Sequence, residues 1–272
     1  MTKTIGVIAG NGCFPLLVAR EARVQGYRVV VCAILREADE SIEKQADACR
    51  WVKVGELKKL VDFFQKENVT EALMAGKVEK VRLFQENVSP DFEMIKVLMK
   101  TRDFKDDSLL AGIADFLAGK GIQLLDSTIF LKDHLPGPGV QGRHKPSKAV
   151  MEDIRFGFQM AKSIAGLDIG QTVVVKKKAV MAVEAIEGTD HAIRRGGELG
   201  GGKVTVVKVA KPNQDMRFDV PTVGLHTMKE LIAAQAEAFA YEAGKTIIMD
   251  REDFIDRANQ KGIVLMGVDS AS

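Results

Sequence analysis

Chemistry on a phosphate needs backbone amides, cations and carboxylates held at turns, and three stretches of this chain supply them. In the first, Gly10-Asn11-Gly12-Cys13-Phe14-Pro15 follows one apolar run and opens an amphipathic one. Glycines at a strand-to-helix turn let main chain approach an anion, and the free N–H groups of the helix start point at it. Gly10, Asn11 and Gly12 are therefore candidate phosphate or nucleotide contacts, against the plainer reading of a tight turn. A nicotinamide dinucleotide is not expected. The GxGxxG fingerprint has Pro15 in place of its third glycine, and Leu35-Arg36 stands where an acidic residue would hold the ribose. In the second stretch, Gly76-Lys77 closes another apolar run, and Lys77 either neutralises a phosphate or is simply solvated. Asp106-Asp107 reads as a helix cap, with Asp107 facing the same ligand as the alternative.

The third stretch lies in the second half. Glu187-Gly188-Thr189-Asp190 is followed by Arg194-Arg195-Gly196 and by further glycines up to Gly202. Carboxylates beside arginines and a flexible glycine run suit a metal–phosphate site, because Mg²⁺ takes one or two carboxylates with substrate oxygens and water. The competing reading is a mobile loop with surface ion pairs. Beyond Lys208 comes Pro212–Gly224 (PNQDMRFDVPTVG), poor core material that holds Asp219 between Phe218 and Val220-Pro221. A rigidly placed carboxylate is one reading of it, and an ordinary polar loop the other.

The elements that must position these residues alternate in the first half. Strands are expected at Thr4–Ala9, Tyr27–Ile34, Cys49–Val54, Val69–Ala75 and Ile122–Leu125. Helices are expected at Phe14–Gln25, at Glu56–Glu67, from Ser89-Pro90 to Lys100, and from Asp107-Ser108 to a stop at Gly121. Such alternation predicts βαβ units and a parallel sheet, and Tyr27–Ile34 is apolar enough to be covered on both faces. Residues 134–146 (HLPGPGVQGRHKP) carry three prolines and three glycines and read as a linker. It divides a Rossmann-like domain at 1–133 from a mixed α/β domain at 147–272. There, a helix at Lys148–Ala165, a hairpin from Gln171–Lys176 and Ala179–Ala185, and a strand at Lys203–Ala210 are expected. A long helix Leu225–Ala243, a strand Thr246–Met249, a helix from Arg251 and a strand Ile263–Val268 complete it.

Composition excludes several classes. Thirty-nine basic side chains against 37 acidic ones leave a net charge of +2, and 6% aromatic residues give no basic, aromatic-studded surface, so nucleic acid is not an expected partner. Three cysteines without CxxC spacing argue against a disulfide framework or a thiolate zinc site, and four histidines show no HExxH or HxxxH pattern. The opening residues run straight into a strand and no apolar run nears the ~20 residues that cross a bilayer, so a cytoplasmic protein without a signal peptide is expected.

Read in order, IAGNGCFP (8–15), MAGK (74–77), DDSLL (106–110), DIGQTVVV (168–175), AVEAIEGTD (182–190), RRGG (194–197) and KPNQDMRFDVPTVG (211–224) resemble one family along essentially the whole chain. It is the metal-dependent UDP-2,3-diacylglucosamine pyrophosphatases of lipid A synthesis, formerly known only as a domain of unknown function. The one departure is the hairpin tip Lys176-Lys177-Lys178, far from the other motifs. The resemblance implies hydrolysis of UDP-2,3-diacylglucosamine to UMP and 2,3-diacylglucosamine 1-phosphate (lipid X), a Mg²⁺ requirement, a homodimer, and an active site in a cleft between the two domains. It maps the family's essential aspartate onto Asp219.

That chemistry is compatible with the residues. Asp219, with Asp190 as companion, is expected to hold the metal or orient water, while Arg194, Arg195 and Lys208 spread phosphate charge. Thr189 and Thr222 join Gly10, Asn11, Gly12, Lys77 and Asp107 as substrate contacts. Two acyl chains call for an apolar trough, for which Phe92–Met99 and Phe156, Phe158 and Met160 are candidates or else plain core, and for peripheral contact with the inner membrane. Another nucleotide-sugar enzyme, or a non-catalytic nucleotide or lipid sensor, is the alternative function.

Overall fold

The computed structural model describes residues 2–78, 90–101, 106–218 and 220–269, with the side chains of residues 106 and 107 left out. The chain divides into two units. One comprises the chain up to Leu131 together with the stretch from Asp215; the other comprises Lys132–Gln214 and the chain from Val220.

In the first unit, β1 (Thr4–Ala9), β2 (Arg28–Ile34), β3 (Ala48–Val52), β4 (Glu71–Ala75) and β5 (Gln123–Leu124) form an all-parallel sheet in the order β3-β2-β1-β4-β5. Every residue from Val29 to Ile34 is buried, as a strand covered on both faces must be. The covering helices are α1 (Phe14–Val24), α2 (Leu57–Lys66) and α4 (Asp106–Ala118), while α3 (Phe92–Lys100) packs on α2 and α4. Helix α2 turns Leu57, Leu60, Val61, Phe63 and Phe64 inward, the apolar stripe its 3.6-residue period allows. Helix α3 is capped by Asp91, whose Oδ1 accepts the Met94 N–H at 2.9 Å; Ser89, expected to open it, lies outside the described residues.

The second unit holds a six-stranded mixed sheet, β6 (Gly139–Val140), β13 (Val264–Val268), β11 (Ala238–Glu242), β9 (Thr205–Lys208), β7 (Thr172–Lys176) and β8 (Ala179–Val183), in that order. Strands β13, β11 and β9 are parallel; β6, β7 and β8 pair antiparallel, the last two as the expected hairpin. A small parallel pair joins β10 (Thr222–Val223) to β12 (Ile247–Ile248). Helices α5 (Lys148–Gly166), α6 (Thr189–Gly200), α7 (Leu225–Ala233) and α8 (Arg251–Lys261) pack on these strands. Within residues 134–146, read as linker, Gly139–Val140 pairs with β13, the Arg143 N–H donates to Asn259 Oδ1 at 2.7 Å, and Pro136 O accepts the Gly244 N–H at 3.0 Å.

Two expectations are corrected. The long helix Leu225–Ala243 ends at Ala233, and Ala238–Glu242 is a fully buried strand between β9 and β13. Alanine favours helix locally, but pairing on both sides and burial of Phe239 and Tyr241 outweigh a few tenths of a kcal/mol per residue. The glycine run after Arg195 is not a mobile loop; through Gly200 it is the body of α6. A Cβ on Gly196 would stand 2.5 Å from that of Val174, and one on Gly197 2.5 Å from that of Ala234, so these glycines let the helix lie close against its neighbours.

Candidate active site

Strand order in the first unit reverses between β1 and β4. The chain moves outward from β1 through β2 to β3, then returns to the opposite side of β1 with β4. Loops leaving adjacent strands in opposite directions open a crevice at their carboxyl ends, the place where open α/β sheets bind ligands. Gly10–Gly12 leaves β1 there and Gly76-Lys77 leaves β4. The two turns clasp: the Gly10 N–H donates to Ala75 O at 2.8 Å, Asn11 N–H to Lys77 O at 2.7 Å, and Lys77 N–H to Asn11 O at 3.2 Å. A Cβ on Gly10 would sit 2.5 Å from Lys77 O, and one on Gly76, at φ +84°, 2.5 Å from Asn11 O. These two glycines are needed for backbone to meet backbone. Gly12 differs: at φ +95° it has open space where a Cβ would point. Helix α1 then begins without a side-chain cap on Cys13, leaving its first amides to another acceptor. Asn11, Gly12 and Lys77 are exposed. The side chain of Asp107 lies outside the described residues.

The stretch preceding Asp219 belongs to this unit as well. Phe218 is 4% exposed and packs in the core with Ile8, Cys32 and Leu124, and the Ser127 N–H donates to Met216 O at 3.0 Å. Neither Phe218 nor Ser127 stood out as functional in the sequence. Asp219 itself lies outside the described residues.

The polar cluster of the second unit gathers where β8 and β9 end and α6 begins. Lys208, 5% exposed, donates from Nζ to Thr189 Oγ1 at 2.8 Å and Thr172 Oγ1 at 3.3 Å, and lies 3.7 Å from Glu184 Oε2. Thr189 Oγ1 in turn donates to Glu184 Oε1 at 2.8 Å. Burial pushes the Glu184 carboxyl up, but the Lys208 ammonium and hydrogen bonds from Thr172, Thr189 and the Gln171 main chain hold it below its ordinary value. Lys208, expected as a phosphate cation, lies beneath the first turn of α6.

On that helix Asp190 is bonded through Oδ2 to His226 Nδ1 at 2.6 Å. Arg194 forks onto Glu230 at 2.8 and 3.1 Å, and Arg195 reaches Glu187 at 2.6 Å and Val183 O at 2.9 Å. Thr222 opens β10 and donates to Val220 O at 2.9 Å. Phe158 is buried in the core beside β7 and β9, and Phe156 and Met160 are half-buried and pack against it.

Sequence reasoning also missed Glu242. Fully buried at the end of β11, it accepts from Lys162 at 3.0 and 3.2 Å, Lys245 at 2.8 Å and the Ala210 N–H at 2.9 Å. Its signal was hidden in the supposed helix.

Among the described residues, no group of three or more His, Cys, Asp or Glu side chains is gathered to hold a metal. Mg²⁺ needs none so large, since substrate oxygens and water complete its shell. Asp190 offers the hard oxygen donor such a cation prefers, and His226 rather than a fixed ammonium or guanidinium occupies its Oδ2.

Among solved structures, phosphoribosylglycinamide synthetase from Anaerococcus prevotii aligns at a TM-score of 0.27 and 11% identity, over 71% of this chain and 34% of that one. The biotin carboxylase domain of a thermophilic 2-oxoglutarate carboxylase aligns at 0.28 and 16%, over 64% and 35%. This chain spans about a third of each, and likenesses so weak carry no argument. The sequence comparisons are different in kind. The UDP-2,3-diacylglucosamine pyrophosphatase LpxI of Caulobacter vibrioides is 30% identical over 278 residues, 98% of both chains. The family model for the LpxI N-terminal domain matches residues 4–134, and that for the LpxI C-terminal domain matches 137–266. With both halves matched in order, the chain belongs to the LpxI family.

Proposed function

We propose that this chain hydrolyses the pyrophosphate of UDP-2,3-diacylglucosamine, releasing UMP and 2,3-diacylglucosamine 1-phosphate. The observation that carries the reading is the match of both family domains across nearly the whole chain, with a relative so named. The turns at the β1/β4 strand ends support it, because the uncapped start of α1 that follows Gly12 offers main-chain donors, and Lys77 a side-chain ammonium, to a diphosphate. The strand order β3-β2-β1-β4-β5 supports a Rossmann-like first domain, and the family matches support a division near 134–146.

One water oxygen attacks one phosphorus, the P–O–P bridge breaks, and the water's proton is lost to a base or to solvent. There is little covalent work, so positioning and charge neutralisation dominate. Asp219 is the catalytic carboxylate and Asp190 its companion. Mg²⁺ held by these two would supply charge neutralisation at the phosphate oxygens and an acidified water. Gly10, Asn11, Gly12 and Lys77 receive phosphate, with Asp107, Thr189, Thr222, Arg194 and Arg195 as further contacts; Lys208 acts through Thr189.

Purified protein incubated with UDP-2,3-diacylglucosamine and Mg²⁺ should release UMP and stop doing so with chelator; no UMP in either case would refute the reading. Asp219→Ala should lose at least ~100-fold in kcat, the lower end for removing a general base, and still bind substrate. A folded variant with near-normal turnover would move the catalytic role to Asp190.

The same reading includes a homodimer in the cytoplasm with peripheral membrane contact. No described helix is long and apolar enough to cross a membrane. Phe92, Ile95 and Met99 recur at helical spacing on α3 and are 70%, 40% and 82% exposed, and Lys96 lies 4.4 Å above the Phe92 ring. Such a stripe suits a lipid surface. Failure to co-sediment with anionic phospholipid vesicles would exclude the contact, and a monomer at micromolar concentration in sedimentation equilibrium would exclude the dimer.

A further inference from the structure

Residues 215–218 follow β9 of the second unit in the chain yet fold with the first. Their own turn is closed by Asp215, whose Oδ1 accepts the Arg217 N–H at 3.0 Å and whose carboxylate grips the Arg217 guanidinium at 2.7–3.1 Å, while Asp215 O accepts the Phe218 N–H at 3.0 Å. What attaches this turn to the unit is Ser127, 1% exposed, together with the Phe218 ring. Ser127 Oγ stands 2.6 Å from Met74 O and 2.9 Å from Arg217 O, and its N–H donates to Met216 O. A hydroxyl has a single proton, so the two carbonyls share this one donor. Met74 lies in β4, two residues before Gly76. The strand whose end clasps the glycine turn of β1 therefore also carries the anchor for 216–218.

We propose that Ser127 and Phe218 are positioning residues: they fix the turn at 215–218 on β4 and so set the main chain that leads into Asp219. Ser127 stands outside every motif that marks the family in this sequence, and no property of a lone buried serine suggests a role. The proposal rests on Asp219 being the catalytic carboxylate. A group that holds a metal or orients water acts only when placed to a fraction of an ångström, and a displacement of about 1 Å costs on the order of a hundredfold in rate. Substrate binding depends on other contacts and is less affected.

The test compares Ser127→Ala and Phe218→Leu with Asp219→Ala and with Val30→Ala, a change at a fully buried residue of β2 in the same core. Each is assayed for UMP release at a temperature where circular dichroism shows it folded. Ser127→Ala is expected to lose about ten- to a hundredfold in kcat with KM within about threefold. Phe218→Leu, which keeps the side chain apolar but loosens the anchor, should shift in the same direction and decides the matter if Ser127→Ala does not accumulate as folded protein. Val30→Ala should lose thermal stability while keeping wild-type kcat. Wild-type kcat in Ser127→Ala or, failing that, in Phe218→Leu, with Asp219→Ala inactive, overturns the positioning role. Activity retained by Asp219→Ala overturns the underlying assignment instead.

Discussion

Gly196→Ala sets two effects of opposite sign against each other. In an exposed helix interior, alanine for glycine stabilises by about 0.8–1.0 kcal/mol, because the unfolded chain loses freedom. At position 196 the new Cβ would lie 2.5, 2.6 and 2.7 Å from Cβ, Cγ1 and Cγ2 of Val174. Carbon atoms rest at about 3.5 Å or more, so α6 or β7 must retreat by roughly 1 Å. Val174 cannot turn aside, being fully buried on a strand paired on both sides. Overpacking of this kind costs about 1–3 kcal/mol, and contact with three atoms of an immobile side chain belongs in the upper part of that range. The net expectation is about 1–2 kcal/mol of destabilisation, a fall in Tm of roughly 3–8 °C. Gly166→Ala is the control: a Cβ there meets nothing nearer than 3.5 Å, so the propensity gain should survive and Tm should hold or rise. Differential scanning calorimetry of both variants decides the matter. If Gly196→Ala is as stable as Gly166→Ala, or more so, the close packing of α6 on β7 is refuted, and the glycine run would again read as a loop.

Lys208→Met should destabilise the second unit by about 3–5 kcal/mol at pH 7.5, because it leaves Glu184 buried without its ammonium. In the wild type the Glu184 pKa is depressed, so its contribution is present above the ordinary carboxylate value and lost as pH falls through the folded one. Without Lys208 the pKa loses its largest lowering influence and moves up from its wild-type position, and protonation relieves the variant, so its deficit in urea denaturation should shrink between pH 7.5 and pH 4.5. A deficit independent of pH would show that Glu184 is not the group left uncompensated. Gly12→Val should weaken UMP binding in calorimetry while far-UV circular dichroism stays native: the turn needs φ near +95° and a branched side chain would fill the open space beside α1. Unchanged UMP affinity would remove this turn from the site.

What could be read from the sequence follows from how local each signal is. The turn at Gly10–Gly12 and the one at Gly76-Lys77 were legible because strand, glycine and helix start succeed one another within a few residues. That the two turns clasp was not, because the Asn11–Lys77 bridge is a product of β1 pairing with β4. Residues 196–202 show the limit from the other side. A glycine run has the same composition whether it frees a loop or lets a helix settle on a sheet, and only Val174 and Ala234, distant in sequence, distinguish the two. Ala238–Glu242 failed similarly: its alanines state a helix preference, and its neighbours β9 and β13 override it.

Lys208 and Ser127 extend the argument to function. A lysine at a strand end announces a cation for phosphate, but the β7–β9 register puts Thr172 opposite it, and Glu184 bonds back to Thr172 O through its own N–H at 2.8 Å. Together with Thr189 these groups enclose the ammonium. Ser127 reaches Arg217 across 90 residues of chain, a separation at which no periodicity or spacing carries information. Motifs thus report groups that sit on turns with local signatures. The groups that hold them still are satisfied inside the fold by partners far along the chain, and only the tertiary structure names them. Substitutions at Ser127 and Phe218 should therefore act on turnover through Asp219.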